Sequence, residues 1–295
     1  MFGLIPYFYI PLLELGPLKL DSWAILVSLG FIFGLEVGRA RAIRLNLEVK
    51  DIVDGALFIV GMGFVVAHFV HVLAYNPHQL QEQGIMALLR IWAGFSSYGG
   101  FLGAIIGTVL FFRVIRPRPF WLHADTVVYG FPFGWFLGRM GCFSAHDHIG
   151  QRSDFFLAVD FPGGARHDLG LYEALWMIVV CFVFYLLRNR KFQPGFFTAL
   201  FAMMYAPIRF LLDFLRNTDL QGADARYLGL TPAQYGSILM FLGGMGVIAY
   251  LQRKDEATLI DPNNPPPPRG AEDAEKPHAP EARDDAEKAD VEGGD

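Results

Sequence analysis

The amino-acid sequence predicts an all-α integral membrane protein with about seven transmembrane helices, an N-terminus outside, a cytoplasmic C-terminus and a disordered acidic tail. Of the 295 residues, 53% are hydrophobic and 15% are aromatic. The mean hydropathy of +0.34 is higher than soluble domains usually reach. The apolar residues collect in stretches of roughly 20, the length that crosses a bilayer. Basic residues follow every other stretch, as they do in multi-pass proteins.

Seven apolar stretches define the predicted spans. Because backbone amides in lipid must be hydrogen bonded within their own segment, each stretch is predicted to be a helix. Glycine or charged residues interrupt the third, fourth and sixth. The spans are predicted over 22–40, 52–74, 97–114, 124–143, 171–188, 195–215 and 233–251.

The basic residues also predict the orientation. The loops after spans one, three, five and seven lie on one side, which the positive-inside rule makes cytoplasmic. Arginines on the opposite side stand among acidic and histidine residues, so we interpret them as functional candidates. The cytoplasmic group is Arg39, Arg41, Arg44 and Lys50; Arg113, Arg116 and Arg118; Arg188, Arg190 and Lys191; Arg253 and Lys254. The opposite group is Arg90, Arg139, Arg152, Arg166, Arg216 and Arg226.

The two ends of the chain differ in character. Residues 1–18 have no basic segment and no small-residue cleavage site, so we expect no removable signal peptide. Residues 255–295 hold a proline run, 13 acidic and 4 basic residues and almost no large apolar ones. We therefore predict a membrane domain over 1–254 and a disordered Pro-rich acidic tail over 255–295. Cys142 and Cys181 give no indication of a structural disulfide.

The first ionisable cluster lies at the end of the fourth span, in Gly138-Arg139-Met140-Gly141. A charged residue is costly at this depth and indicates a function. Arg139 is a planar cation with five donors, which suits a phosphate, and Gly141 lets backbone approach a ligand. The alternative is that Arg139 snorkels to lipid headgroups or pairs with Asp147.

The second cluster is His146-Asp147-His148. Either imidazole could transfer a proton near neutral pH, with Asp147 orienting it. With Cys142, the two histidines could also form a zinc site. That spacing is not one of the recurring zinc patterns, so we expect no metal.

The third cluster is Arg209, Asp213 and Arg216 in the sixth span. The spacing i, i+4, i+7 predicts one helix stripe, on which the carboxylate orients both guanidinium groups. Such a stripe needs a cavity lined by water or protein. A purely structural ion-pair network is the alternative.

The fourth cluster is Tyr98-Gly99-Gly100, which opens the third span. The glycines are typical of close helix packing. The phenol of Tyr98, level with the other clusters, could orient a substrate group or help to move a proton.

Taken in order along residues 15–250, these clusters resemble the prolipoprotein diacylglyceryl transferase family. No single motif carries the resemblance, which rests on shared order and spacing. The matching landmarks are Gly16-Pro17-Leu18; Ala74-Tyr75-Asn76-Pro77; Tyr98-Gly99-Gly100; Asp125; Gly138-Arg139-x-Gly141; Gly150; Phe161-Pro162-Gly163 before His167, Tyr172 and Glu173; and Arg209-Phe210, Asp213, Arg216, Asp219 and Gln234.

The resemblance implies an enzyme of the bacterial inner membrane whose active face looks toward the periplasm. It implies transfer of a diacylglyceryl group from phosphatidylglycerol to the lipobox cysteine thiol of a prolipoprotein signal peptide, which leaves a thioether and glycerol phosphate. Its partners would be these substrates and membrane lipids, with no nucleic acid, and the reaction would need no cofactor. The chain departs from the family pattern at several positions, with Cys142 for asparagine, Ala145-His146-Asp147 for Asn-Gly-Glu, Tyr98 for histidine, His68 for arginine, Trp23 for tyrosine, Asp168-Leu169-Gly170 for Pro-Ser-Gln and Asp213 for glutamate.

We expect Arg139 and Arg209 to hold the phosphate, with Gly99, Gly100 and Gly141 beside the headgroup. Arg216 with Asp213 would support this clamp, and His146 or His148, or else Tyr98, would transfer the proton. The departures favour one alternative, a relative that binds lipid or lipoprotein without transfer. Two weaker ones are a transporter, because charges lie within the spans, and a metal-dependent hydrolase.

Overall fold

The computed structural model describes residues 5–16, 18–75, 77–90, 94–220 and 226–267. The helices are α1 (Ser22–Arg44), α2 (Val49–Val70), α3 (Pro77–Gln83), α4 (Met86–Leu89), α5 (Ser97–Leu110), α6 (Phe120–Ala145), α7 (Leu169–Leu187), α8 (Phe196–Leu212) and α9 (Pro232–Leu251). The strands are β1 (Ile5–Pro6), β2 (Leu13–Leu15), β3 (Leu18–Leu20), β4 (Ile149–Arg152), β5 (Val159–Phe161) and β6 (Gly164–Asp168). Landmarks Pro17 and Asn76 lie outside the described residues.

Each of the seven predicted spans corresponds to a helix. In the described part of the chain, five helices are long and apolar enough to cross a membrane: Ser22–Arg44, Val49–Leu73, Leu169–Leu187, Phe196–Leu215 and Pro232–Leu251. The third span is a shorter apolar helix, and the fourth, α6, buries several polar side chains. The prediction of a helical multi-pass membrane protein is confirmed.

The helices α1 and α6 pack with their backbones in contact. A Cβ atom on Gly130 would lie 2.2 Å from the carbonyl oxygen of Gly34, and one on Gly134 would lie 2.5 Å from that of Gly30. Small residues four apart on both helices permit this approach, which is how membrane helices gain contact area when lipid is as apolar as their side chains. The sequences of α1 and α6 both show this four-residue spacing of glycines, but we did not predict the contact from it.

Replacing Gly130 by leucine should therefore destabilise the bundle, because the side chain has no space beside α1. We expect a loss of about 1–3 kcal/mol, the usual cost of overpacking. The measurement is loss of helical circular dichroism during detergent titration. Gly243→Leu in α9 is the matched control, since no atom lies within 4 Å of a Cβ placed there. Equal midpoints for the two variants would contradict this packing argument.

A small sheet covers one end of the bundle and was not predicted. Its strand order is β1-β5-β6-β4, with β1 parallel to β5 and the other pairs antiparallel. The residues of β5 alternate buried, exposed and buried, and Gly164 with φ +108° begins β6 directly after the turn. Two features of the sequence could have indicated these strands: the alternation Val159-Asp160-Phe161 and the turn residues Gly163-Gly164. We call this end of the bundle the sheet end.

Strand β4 is attached to the segment that follows α8. Gly150 forms an antiparallel bridge with Arg216, and the side-chain amide of Asn217 donates to the carbonyl of Ile149 at 2.8 Å. A Cβ on Gly150 would lie 2.6 Å from the carbonyl oxygen of Leu215, so only glycine allows this approach. The sheet thereby fixes the backbone at Arg216.

Arg166 of β6 strengthens the same attachment. Its guanidinium donates to both carboxylate oxygens of Asp219, at 2.9 and 2.5 Å, and to the carbonyl of Gly150 at 3.1 Å. These hydrogen bonds hold the pKa of Asp219 below its usual value. Arg166, a functional candidate from the sequence, thus has a structural role in these contacts.

At the opposite end of the bundle, the chain after α9 packs against the helix ends. Ile260 exchanges backbone hydrogen bonds with Phe192 at 2.8 and 3.1 Å, and Asn263 accepts one from Arg44 at 3.0 Å. The first part of the predicted tail, 255–267, therefore packs against the bundle. Residues 268–295 lie outside the described part of the structure.

Candidate functional site

At the sheet end, α6 and α7 bring Arg139 and Glu173 together inside the bundle. Nε of Arg139 lies 2.9 Å from Oε2 of Glu173, and the two side chains are 8% and 1% exposed. Tyr205 of α8 donates to the same oxygen at 2.9 Å. The guanidinium carbon of Arg139 lies 4.6 Å from the centroid of the Trp135 ring. Burial of both charges is tolerable because they pair. Arg139 therefore neither snorkels to headgroups nor pairs with Asp147.

The second half of the cluster comes from α8 and the turn after it. Arg209 has its Nη1 2.9 Å from Oδ1 of Asp213, and its Nε 3.6 Å from Oε1 of Glu173. Arg216 has its Nε 3.7 Å from the same Asp213 oxygen. Thr231, the N-cap residue of α9, donates to the other oxygen of Asp213. The residues of this cluster thus come from α6, from α7, from α8 with the turn after it, and from the N-cap of α9.

Asp213 pairs with both Arg209 and Arg216 as predicted, but the three residues do not lie on one helix stripe. Helix α8 ends at Leu212, Asp213–Leu215 form a 3₁₀ turn, and Arg216 is extended with φ −61° and ψ 146°. Asp213 still contacts both arginines, because the bridge from β4 positions Arg216 in place of helical periodicity.

Glu173 is the residue that joins the two arginines. Arg139 approaches one of its oxygens and Arg209 the other, so both guanidinium groups lie in one environment. The cluster holds three guanidinium groups and the two carboxylates of Glu173 and Asp213. Two guanidinium groups held against one carboxylate in a site of low dielectric are suited to binding an anion.

Comparison with known proteins identifies the family. The family model described as prolipoprotein diacylglyceryl transferase matches residues 11–250. The chain belongs to this family. A protein of Chromohalobacter salexigens named phosphatidylglycerol–prolipoprotein diacylglyceryl transferase is 31% identical, over 84% of this chain and 94% of its own. Relatives with the same name from Glaesserella parasuis and Pasteurella multocida are 33% and 34% identical, over 82% and 73% of this chain and 93% and 82% of their own.

Within this transferase family member, His146 holds three segments together. Its Nδ1 lies 2.8 Å from a carboxylate oxygen of Asp168, and its Nε2 lies 3.1 Å from the carbonyl oxygen of Phe8. Both neighbours are fixed acceptors, so each ring nitrogen is taken up by a contact within the protein. Burial raises the pKa of Asp168, and the hydrogen bond with His146 opposes that rise. These contacts favour a structural role for His146.

His148 is placed differently. Its Nδ1 hydrogen bonds to Asp147, and its Nε2 lies 3.3 Å from Nη1 of Arg139. A tautomer with the proton on Nδ1 satisfies both contacts and leaves the Nε2 lone pair facing the arginine. The side chain is 19% exposed, so solvent or substrate reaches it.

The zinc alternative loses one of its predicted ligands, because His146 turns toward Asp168. Cys142, Asp147 and His148 do offer ligand atoms within 4.8 Å of one another. Nη1 of Arg139, however, lies 3.8 Å from the sulfur of Cys142 and 3.3 Å from His148. A permanent cation at that distance opposes a metal ion.

The three predicted headgroup glycines have different surroundings. A Cβ on Gly99 would lie 2.6 Å from Cα of Ala67, and one on Gly141 would lie 3.3 Å from the carbonyl oxygen of Trp23. These two glycines permit helix packing, and their contact with a headgroup stays a prediction. Gly100 has no atom within 4 Å of a Cβ position. The side chain of Tyr98 lies outside the described residues, so its role stays a prediction.

Glu173 and Tyr205 complete the cluster without having been predicted as site residues. Glu173 was quoted as a family landmark, and it is an acidic residue within an apolar span. That alone was a usable signal, because a buried carboxylate requires cationic partners. Tyr205 offered no comparable signal, since a tyrosine in an apolar span is more often a packing residue.

Proposed function

We propose that this protein transfers the diacylglyceryl group of phosphatidylglycerol to the lipobox cysteine thiol of prolipoproteins. The observation that carries the proposal is the joining of Arg139 and Arg209 through Glu173, which places two guanidinium groups side by side at the sheet end. The named activity of the relatives supports it. The alternation of basic loops supports placing this site on the periplasmic side of the bacterial inner membrane.

The proposed reaction breaks the bond between the glyceryl carbon and its phosphate oxygen, while the cysteine sulfur forms a bond to that carbon. Negative charge grows on the departing glycerol phosphate. Arg139 and Arg209 are both held against Glu173, so their charges lie close enough together to stabilise this charge on one headgroup. Their existing partner Glu173 keeps both guanidinium groups oriented in the absence of lipid.

The acyl chains need an apolar path beside this charged site. A groove of about 320 Å³ lies between α8 and α9, lined by Pro207, Phe210, Ser237 and Phe241 among others. Phe210 directly follows Arg209 in the chain. A lipid with its phosphate at the arginines would thus find an apolar surface within one helical turn.

His148 is the proposed proton acceptor for the thiol. The nucleophile must be a thiolate, and an imidazole is suited to accept the proton near neutral pH. Asp147 orients the ring, and Nε2 faces the arginine site. Both imidazoles have partners on both nitrogens, but Nε2 of His148 accepts from Arg139, which a bound phosphate would draw away, whereas both nitrogens of His146 face the fixed acceptors Asp168 and Phe8. This difference supports His148 over His146.

The proposed function is tested with purified protein in phosphatidylglycerol vesicles and a lipobox peptide. We expect a thioether-linked diacylglyceryl peptide by mass spectrometry. Vesicles of phosphatidylethanolamine test donor selectivity, and a peptide with serine for cysteine is the nucleophile control. Binding of the peptide without thioether formation would favour the non-transferring alternative and overturn the proposal.

Replacing His148 by alanine should lower kcat about 10²–10⁴-fold, the usual contribution of a positioned base. The loss should shrink as pH rises, because the thiol then ionises without help. His146→Ala is the paired variant, and it should mainly lower the thermal midpoint by releasing Asp168 and Phe8. A His148→Ala enzyme with undiminished kcat at neutral pH would remove His148 from the mechanism.

A further inference from the structure

Two adjacent aromatic residues are exposed in the loop between β4 and β5. Phe155 is 44% exposed and Phe156 is 58% exposed, with ring centroids 4.5 Å apart. A contiguous aromatic surface of this kind is costly in water and usually marks a contact with another apolar phase.

The loop holds these rings outward. The amide of Phe155 donates to the hydroxyl of Ser153 at 3.1 Å, and the amide of Ala158 donates to the carbonyl of Phe155 at 2.8 Å. Ala158 itself is fully buried, and the strands on either side are paired in the sheet. The turn is therefore fixed at both ends, with the rings presented on its outer side.

The exposed pair continues the outer face of a membrane helix. The ring of Phe155 contacts that of Tyr172, in the first turn of α7, with centroids 6.1 Å apart. From Tyr172 a stripe at helical spacing runs down α7 through exposed apolar residues: Leu175, Val179, Phe182 and Leu186. Since α7 is a membrane-spanning helix, this stripe faces lipid, and Phe155 extends it at the sheet end.

We propose that the Phe155–Phe156 loop inserts into the bilayer, at the boundary between headgroups and acyl chains of the leaflet on the sheet end. The polar residues Arg152 and Asp154 precede the rings and would lie among the headgroups. Aromatic rings beside charged residues are the composition that favours this layer. The occupant of the surface is thus lipid, and the inference does not depend on the transfer reaction.

Insertion would fix the sheet relative to the membrane. Strand β4 begins at Ile149 and is bridged at Gly150 to Arg216, so the loop and the arginine cluster share one rigid support. The depth of the loop therefore sets the height of the arginines relative to lipid phosphates.

The test is a depth measurement on full-length protein in lipid nanodiscs. A nitroxide is attached at Phe156→Cys in a Cys181→Ala background, and collisions with oxygen and with a water-soluble nickel chelate are compared. We expect the label at position 156 to collide more often with oxygen, which concentrates in lipid, than with the nickel chelate. Asp160→Cys, on the exposed face of β5, is the water-facing control and should favour nickel. The Cys181→Ala protein without an added cysteine is treated in the same way, and its signal measures how much nitroxide attaches to Cys142.

A label at 156 that is as accessible to nickel as the one at 160 would overturn the proposal. So would protection that appears only after a lipobox peptide is added, because the surface would then belong to the peptide. A label at Phe155→Cys gives a second, independent reading, for which we expect the same preference for oxygen.

Discussion

Replacing Arg139 by lysine should lower the rate of diacylglyceryl transfer by about 10²–10³-fold, the cost of losing one oriented donor in the transition state. Lysine keeps the positive charge, so Glu173 stays paired. It loses the planar fork that contacts Glu173 on one edge and reaches Tyr205 and His148 on the other. A compact ammonium group cannot hold a phosphate and a carboxylate at the same time with fixed geometry.

The expected loss falls mainly on kcat, because negative charge on the phosphate grows during the reaction. Rates are measured with phosphatidylglycerol vesicles and a lipobox peptide, and thermal midpoints in detergent confirm that the variant is folded. Arg152→Lys is the matched control, since that arginine is exposed on β4 and outside the cluster. Unchanged kcat in the Arg139→Lys enzyme would remove this guanidinium from the proposed clamp.

The spans and the arginine pair were predictable because each depends on a local pattern. Hydropathy over about 20 residues locates a span wherever it packs, and a charge within a span is conspicuous at any position. The meeting of Arg139 with Arg209 followed from placing both at the same membrane depth. Their common partner was not predicted, because Glu173 reaches them from a third helix, and one sequence gives no distance between helices.

The small sheet and the role of His146 show the opposite case. Strands of two to five residues are shorter than the window in which periodicity is reliable. The partners of His146 are 22 and 138 residues away in the chain, one of them a backbone carbonyl. No side-chain pattern in the sequence records such a contact, so His146 and His148 looked equivalent as bases until their surroundings were known.

Replacing Glu173 by glutamine should destabilise the protein by about 3–5 kcal/mol, the usual cost of leaving a buried charge without its partner. The amide keeps the shape of the side chain but removes the negative charge between Arg139 and Arg209. Two guanidinium groups, 8% and 13% exposed, would then repel each other with only Asp213 to offset them. The measurement is the midpoint of detergent-induced unfolding. Glu82→Gln, on the exposed helix α3, is the control.

A second substitution separates charge balance from lost hydrogen bonding. If repulsion between the arginines causes the destabilisation, Glu173→Gln combined with Arg209→Gln should be more stable than Glu173→Gln alone, because one of the two opposed charges is gone. If lost hydrogen bonds cause it, the double variant should be the less stable of the two. The first outcome would show that Glu173 balances the anion site, and the second would reduce it to a local hydrogen-bond acceptor. Neither double nor single variant should transfer lipid at the parent rate, since a phosphate needs both arginines held in place.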